Sequence, residues 1–146
     1  MTTNNSPANP ESPEFGEYVS IYTRAQAIDD GVLVDVTKFC HEMGLPHPFK
    51  HHVAMTTTAW SEFVDWADRA SCPGPLKIAV MARLSAVFRA TVDAARNAQP
   101  GVPTINLNVM HLRPTSWRPV EGQLVLHCGP GDRGEPVLTY MLPGED

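Results

Sequence analysis

The chain has 146 residues, 42% of them hydrophobic and 18% charged, with a net charge of −5. That is enough apolar material for one domain with its own core, and it argues against wholesale disorder. The acidic balance and the scattered Lys and Arg weigh against direct nucleic-acid binding through phosphates, and no apolar run approaches the ~20 residues that cross a bilayer.

Residues 1–16, MTTNNSPANPESPEFG, hold little to bury, so a disordered tail is expected, with residues 17–146 forming a single domain. The run YVSIY from Tyr18 reads as a short strand. In TRAQAIDDG, Thr23 and Gln26 have the spacing of a capping box, and Gly31 supplies a left-handed stop. VLVDV reads as a central strand in which Asp35 must find a partner or the surface. TKFCHEMG repeats the helix plan, with Thr37 as cap and Gly44 as terminator. Pro46 and Pro48 exclude a helix in LPHPFKHH.

Thr58 is placed to cap a helix AWSEFVDWADRA, whose Ala59, Phe63, Trp66 and Ala67 share one face, with Trp60 beside it. After the CPGP break, Leu76, Val80, Leu84, Val87, Val92 and Ala95 mark a long helix from Leu76 to about Ala98. In TINLNVMHL the period changes to two, setting Ile105, Leu107 and Val109 against Asn106, Asn108 and Met110. RPTSWRPVEG reads as a loop. LVLHC, GPGDRGEP and VLTYML then give strand, turn and strand. The pattern predicts an α+β domain: a mostly antiparallel sheet with a C-terminal meander, its helices on one face and one long helix central.

Several residues invite a chemical reading. The Gly-rich segment from Gly129 to Gly134 could form an anion-binding nest beside Arg133. No helix follows it, and Asp132 would repel a phosphate, so a wide turn is preferred. His41, His47, His51, His52, His111 and His127 show no metal-ligand spacing, and neither a metal nor a cofactor is expected. Cys40 beside His41 and Cys128 beside His127 are sequence neighbours, which seldom form a nucleophile–base pair, so buried structural thiols are the simpler reading. Cys40, Cys72 and Cys128 cannot all pair within one chain. With no secretion-signal pattern at the N-terminus, reduced thiols and a cytoplasmic location are expected. Tyr22, Arg24 and Glu135 form a looser set, reminiscent of how ADP-ribosyltransferases hold NAD. Arg24 reads equally as a solvated first-turn residue. The terminal GED is expected to be a solvated acidic tail, able to dock on a basic partner.

Three blocks, IYTRAQAIDDGVLVDVT from Ile21, TTAWSEFVDWA from Thr57 and CGPGDRGEPVLTYMLPGED from Cys128, resemble a small uncharacterised domain family of bacterial plasmids, phages and other mobile elements. PHPFKHH and the long helix depart from that pattern. The resemblance implies context rather than catalysis: small acidic proteins of such elements often block host defence complexes. The expectation is therefore a non-enzymatic protein-binding domain presenting Asp132, Arg133, Glu135 and Trp117. Its expected partner is a basic nucleic-acid-binding host protein, as for anti-CRISPR or anti-restriction inhibitors. The alternative is a nucleotide-handling transferase or hydrolase using Tyr22, Arg24 and Glu135. A homodimer anchored by Trp60, Trp117 or the Pro-rich loop is a third reading.

Overall fold

The computed structural model describes residues 22–65, 76–112 and 118–145. The expected tail, most of YVSIY, Trp66, Ala67, Cys72 and Trp117 lie outside the described residues.

Among the described residues, four helices and five strands follow one another. The first helix, α1 (Arg24–Asp29), starts as expected: Thr23 accepts from the Gln26 amide at 3.0 Å while Gln26 accepts from the Thr23 amide at 2.9 Å. Gly31, at φ 79°, turns the chain out of it. Strand β1 (Leu33–Asp35) is shorter than VLVDV, because Val36 already belongs to helix α2 (Val36–Met43). The cap of α2 is Asp35 rather than Thr37, its carboxylate accepting from the Lys38 amide at 2.9 Å. Thr37 instead bonds the Val53 amide at 2.8 Å and ties α2 to the next strand.

That strand, β2 (His52–Thr56), was not expected from sequence. Only Val53, Ala54 and Met55 are apolar, too short a run to show a period, yet all three are fully buried. Helix α3 (Thr57–Phe63) follows at once, capped by Thr56 rather than Thr58. Helix α4 (Leu76–Arg96) is the long one. Its buried face runs through Val80, Leu84, Val87, Phe88 and Thr91, whereas Val92 and Ala95 are exposed. The stripe turns away from Val92 because Thr91 sends its hydroxyl into the core, donating to Val87 at 2.8 Å and meeting the Tyr140 hydroxyl at 2.6 Å. Burial holds the Tyr140 phenol well above its ordinary range, against the opposing bond from Thr91.

Strands β3 (Thr104–Leu112), β4 (Pro119–Pro130) and β5 (Pro136–Met141) form the expected antiparallel meander. Strand β4 begins earlier than expected, taking Pro119–Gly122 out of the presumed loop to pair with Leu112–Val109. The sheet order is β1-β2-β5-β4-β3. It is a mixed sheet: β1–β2, β5–β4 and β4–β3 run antiparallel, but β2 and β5 pair in parallel at its centre.

The register assigns the two faces. Val53, Met55, Tyr140, Leu124, Leu126, Leu107 and Val109 meet α3 and α4 in one core. Gly122 belongs to this face, and a Cβ there would lie 2.4 Å from His111 Nε2, so glycine is what admits the buried imidazole. His111 stacks on Phe63 at 4.7 Å and lies 3.6 Å from the Glu62 carboxylate. On the other face Asp35, Ala54 and Thr139 lie in one row, with His127 beyond them and His52 one step away. Helix α1 contributes Arg24 to this second face, so the helices do not all share one side.

Candidate functional site

The residues singled out from sequence meet where α1, the start of α2, the centre of the sheet and the β4–β5 turn converge. Because β4 and β5 pair through Pro130 and Pro136, the connection is shorter than GPGDRGEP, covering only residues 131–135. The Gly131 amide donates to the Glu135 carbonyl at 2.6 Å and the Gly134 amide to the Gly131 carbonyl at 3.0 Å, with Gly134 at φ 81°. Two of its glycines have distinct physical reasons. Gly134 adopts the left-handed conformation, and a Cβ on Gly131 would fall 2.6 Å from the Glu135 carboxyl group. Glu135 folds back over that bare backbone and accepts from the Arg133 amide at 2.8 Å.

Asp132 is the residue that makes this turn more than a reversal of the chain. Its two carboxylate oxygens accept from the amides of Arg24 at 2.7 Å and Ala25 at 3.1 Å. These are first-turn amides that a short helix cannot satisfy internally. The bonds from Arg24 and Ala25 hold the Asp132 carboxyl below its usual range. The turn is thus clasped onto the start of α1 across more than 100 residues of sequence. The anion-nest reading gives way to this geometry, since the amides of Gly131, Arg133 and Gly134 are already bonded within the turn.

The Arg24 side chain extends the clasp into the sheet. It donates to Thr139 Oγ1 at 2.7 Å, to the Leu138 carbonyl at 2.7 Å and, at a longer 3.4 Å, to His52 Nδ1. A guanidinium only donates, so Nδ1 must accept; the His52 ring then carries its proton on Nε2 and donates to Asp35 Oδ1 at 2.9 Å. Asp35, His52, Arg24 and Thr139 therefore form one polar chain joining β1, β2, α1 and β5. Partial burial pulls the Arg24 guanidinium below its ordinary value, opposed by the charges of Asp35, Asp132 and Glu135. It stays cationic, as arginine does in proteins. Tyr22, 55% exposed, donates to Asp30 at 2.7 Å, and this bond raises its phenol above the ordinary value.

The structure thus brings Arg24, Asp132 and Glu135 into one electrostatic neighbourhood, with Tyr22 at its margin. Sequence reasoning missed His52 and Thr139 as partners of Arg24, and it left Asp35 without one. The only signal was that Asp35 and Thr139 are polar residues inside β-rich runs; His52 carried none, because its strand shows no period. An Asp–His pair could serve as a general base, but here the second ring nitrogen is covered by Arg24. Of the other candidates, Cys40 is buried, which pushes its thiol up to about 11 and leaves it inert; Cys128 is exposed. Among the described residues no three His, Cys, Asp or Glu converge as metal ligands, and no helix is long and apolar enough to cross a membrane.

The acidic tail is also engaged. Glu145 accepts from Thr58 at 2.5 Å, the Leu142 amide at 2.6 Å and Thr56 at 2.9 Å, closing the C-terminus onto the start of α3. Burial would raise its carboxyl, but these three bonds outweigh that and lower it. The expectation of a wholly solvated tail is corrected at this residue.

In comparison with known proteins, residues 13–146 match a family of unknown function (DUF6573). No curated protein and no solved structure matches the chain.

Proposed function

We propose that this chain, which belongs to the DUF6573 family, is a non-enzymatic binding protein of mobile-element origin. Its role is to inhibit a host nucleic-acid-targeting defence protein, in the manner of anti-CRISPR or anti-restriction inhibitors. The observation that carries this reading is the clasp. Arg24 and Asp132, both singled out from sequence, hold the β4–β5 turn against α1. The exposed side chains along α1 and the turn, Tyr22, Asp30, Asp132 and Glu135, with Arg133 among them, carry three carboxylates and one guanidinium, and Tyr22 is bonded to Asp30. A preformed surface loses little conformational freedom on docking, and a tyrosine is a frequent anchor. Its charge suits a basic nucleic-acid channel, so binding should weaken as salt rises.

The test is expression in a host carrying a functional defence system. Phage restriction should fall, and affinity capture from that host should recover a component of the system. Substituting Asp30, Glu135 and Tyr22 together should restore restriction. Unchanged restriction, with no defence component captured, would sink the proposal.

One observation favours a second reading: Glu135 lies close enough to act electrostatically on Arg24, as a transferase handling NAD or another nucleotide would need. That reading requires Glu135→Gln to abolish an activity while leaving the melting temperature unchanged.

A further inference from the structure

Strand β3 is the outermost strand of the sheet, and among the described residues no strand pairs with its outer edge. Its nine residues, TINLNVMHL, include no Lys, Arg, Asp, Glu or Pro. Charges and prolines are the usual means by which an exposed edge avoids other strands. The opposite edge strand, β1, has three residues and offers little to pair with.

The hydrogen-bond phase of β3 is fixed at its start. The Pro103 carbonyl accepts from the Cys128 amide at 2.7 Å, one step before the Thr104–His127 pair. In an antiparallel ladder, residues alternate between facing the neighbour and facing away. Ile105, Leu107, Val109 and His111 therefore turn their backbone groups toward β4. Thr104, Asn106, Asn108, Met110 and Leu112 turn theirs outward. Of these, Thr104, Asn106, Asn108 and Met110 also have exposed side chains, Met110 at 54%.

We propose that this edge pairs antiparallel with β3 of a second copy of the chain, about a two-fold axis at Asn108. Centring on Asn108 lets all nine residues pair, with Asn106 opposite Met110 and Thr104 opposite Leu112. The outward set is self-complementary in the way a two-fold contact requires. At the axis each strand meets its own residue. A charged side chain there would face its like, whereas a neutral amide both donates to and accepts from its copy. On the core face, Leu107 of one copy lies opposite Val109 of the other. The apolar surface then continues across the axis, and the two sheets become one.

Sedimentation equilibrium of the full chain tests this. At tens of micromolar the mass should be twice that of one chain, falling to one on dilution. Asn108→Lys sets two ammonium groups side by side and should weaken the dimer by about tenfold or more. Gln123→Lys, its neighbour on β4, should leave the dimer intact. A cysteine pair gives an independent check if Asn108→Lys fails to fold. Asn108→Cys puts the two Cα atoms about 5.5 Å apart, within disulfide reach. Asn106→Cys leaves them four residues out of register, roughly 13 Å apart. With Cys72 and Cys128 replaced by serine in both, oxidation should cross-link the first variant and not the second. A chain monomeric at every concentration, a dimer indifferent to Asn108→Lys, or equal cross-linking of the two cysteine variants would overturn the proposal.

Discussion

Replacing Arg24 with alanine separates a structural clasp from a waiting ligand site. The side chain donates two short hydrogen bonds, to Thr139 and to the Leu138 carbonyl, and one long one to His52. Hydrogen bonds involving a charged group contribute about 1.5–3 kcal/mol each when buried. Arg24, Thr139 and Leu138 are only partly buried, so water replaces some of what is lost and screens the neighbouring carboxylates. Discounting for that, the two short bonds together are worth about 2 kcal/mol, and the long one is neglected. For a domain of this size about 2 kcal/mol corresponds to a fall of roughly 6–8 °C in melting temperature. Arg24→Lys keeps the charge but cannot fork to two acceptors, and should recover about half of the loss. The assay is calorimetric melting of the three proteins at neutral pH, with far-ultraviolet circular dichroism to confirm folding. A melting temperature within about 1 °C of the parent for Arg24→Ala would refute the structural role, leaving Arg24 available for a ligand.

Three further outcomes follow from the packing. Thr91→Val removes the acceptor of the buried Tyr140 hydroxyl and should cost about 1–3 kcal/mol, whereas Tyr140→Phe leaves Thr91 bonded to Val87 and should cost about 1 kcal/mol. Denaturant titration of both singles and the double should show strong non-additivity. Gly122→Ala forces a methyl group onto the buried His111 ring and should destabilise by about 1–3 kcal/mol; adding His111→Ala should relieve part of that penalty in the same assay. Glu145 has its folded-state carboxyl lowered, so its contribution is present above the unfolded value of about 4.3 and is lost as pH falls through the folded value. Melting curves of Glu145→Gln should therefore lie below the parent at pH 7 and converge with it as pH falls below the ordinary carboxylate range.

Much of the fold was legible where the sequence carries a period or a local stop signal. The capping box at Thr23 and Gln26, the left-handed Gly31 and Gly44, and the alternation in TINLNVMHL all depend on neighbours in sequence, and the structure keeps them. Strand β2 escaped notice because it is buried on both faces; a strand covered on both sides shows an apolar run, and VAM is too short to be one. The parallel β2–β5 pairing could not be read, since it joins segments more than 80 residues apart with no local signature. Thr37 and Thr58 looked like caps because threonine at such positions normally is one. Asp35 and Thr56, each two residues earlier in the chain, took those roles instead. At the site, Arg24, Asp132 and Glu135 were picked out by residue type. What they do was not visible, because Asp132 reaches amides 107 and 108 residues away. The turn that resembled a phosphate cradle supplies the anion itself.

The central claim is that the α1–turn end is a preformed protein-docking surface rather than a nucleotide site. The most direct test is a thermal titration of the intact chain with NAD, ADP-ribose, ATP and GTP up to millimolar concentration. A ligand present at about 100 times its dissociation constant stabilises by about 2.7 kcal/mol, roughly an 8 °C rise for a domain of this size. The account predicts no shift with any of the four. A rise of several degrees that disappears in Glu135→Gln would contradict it.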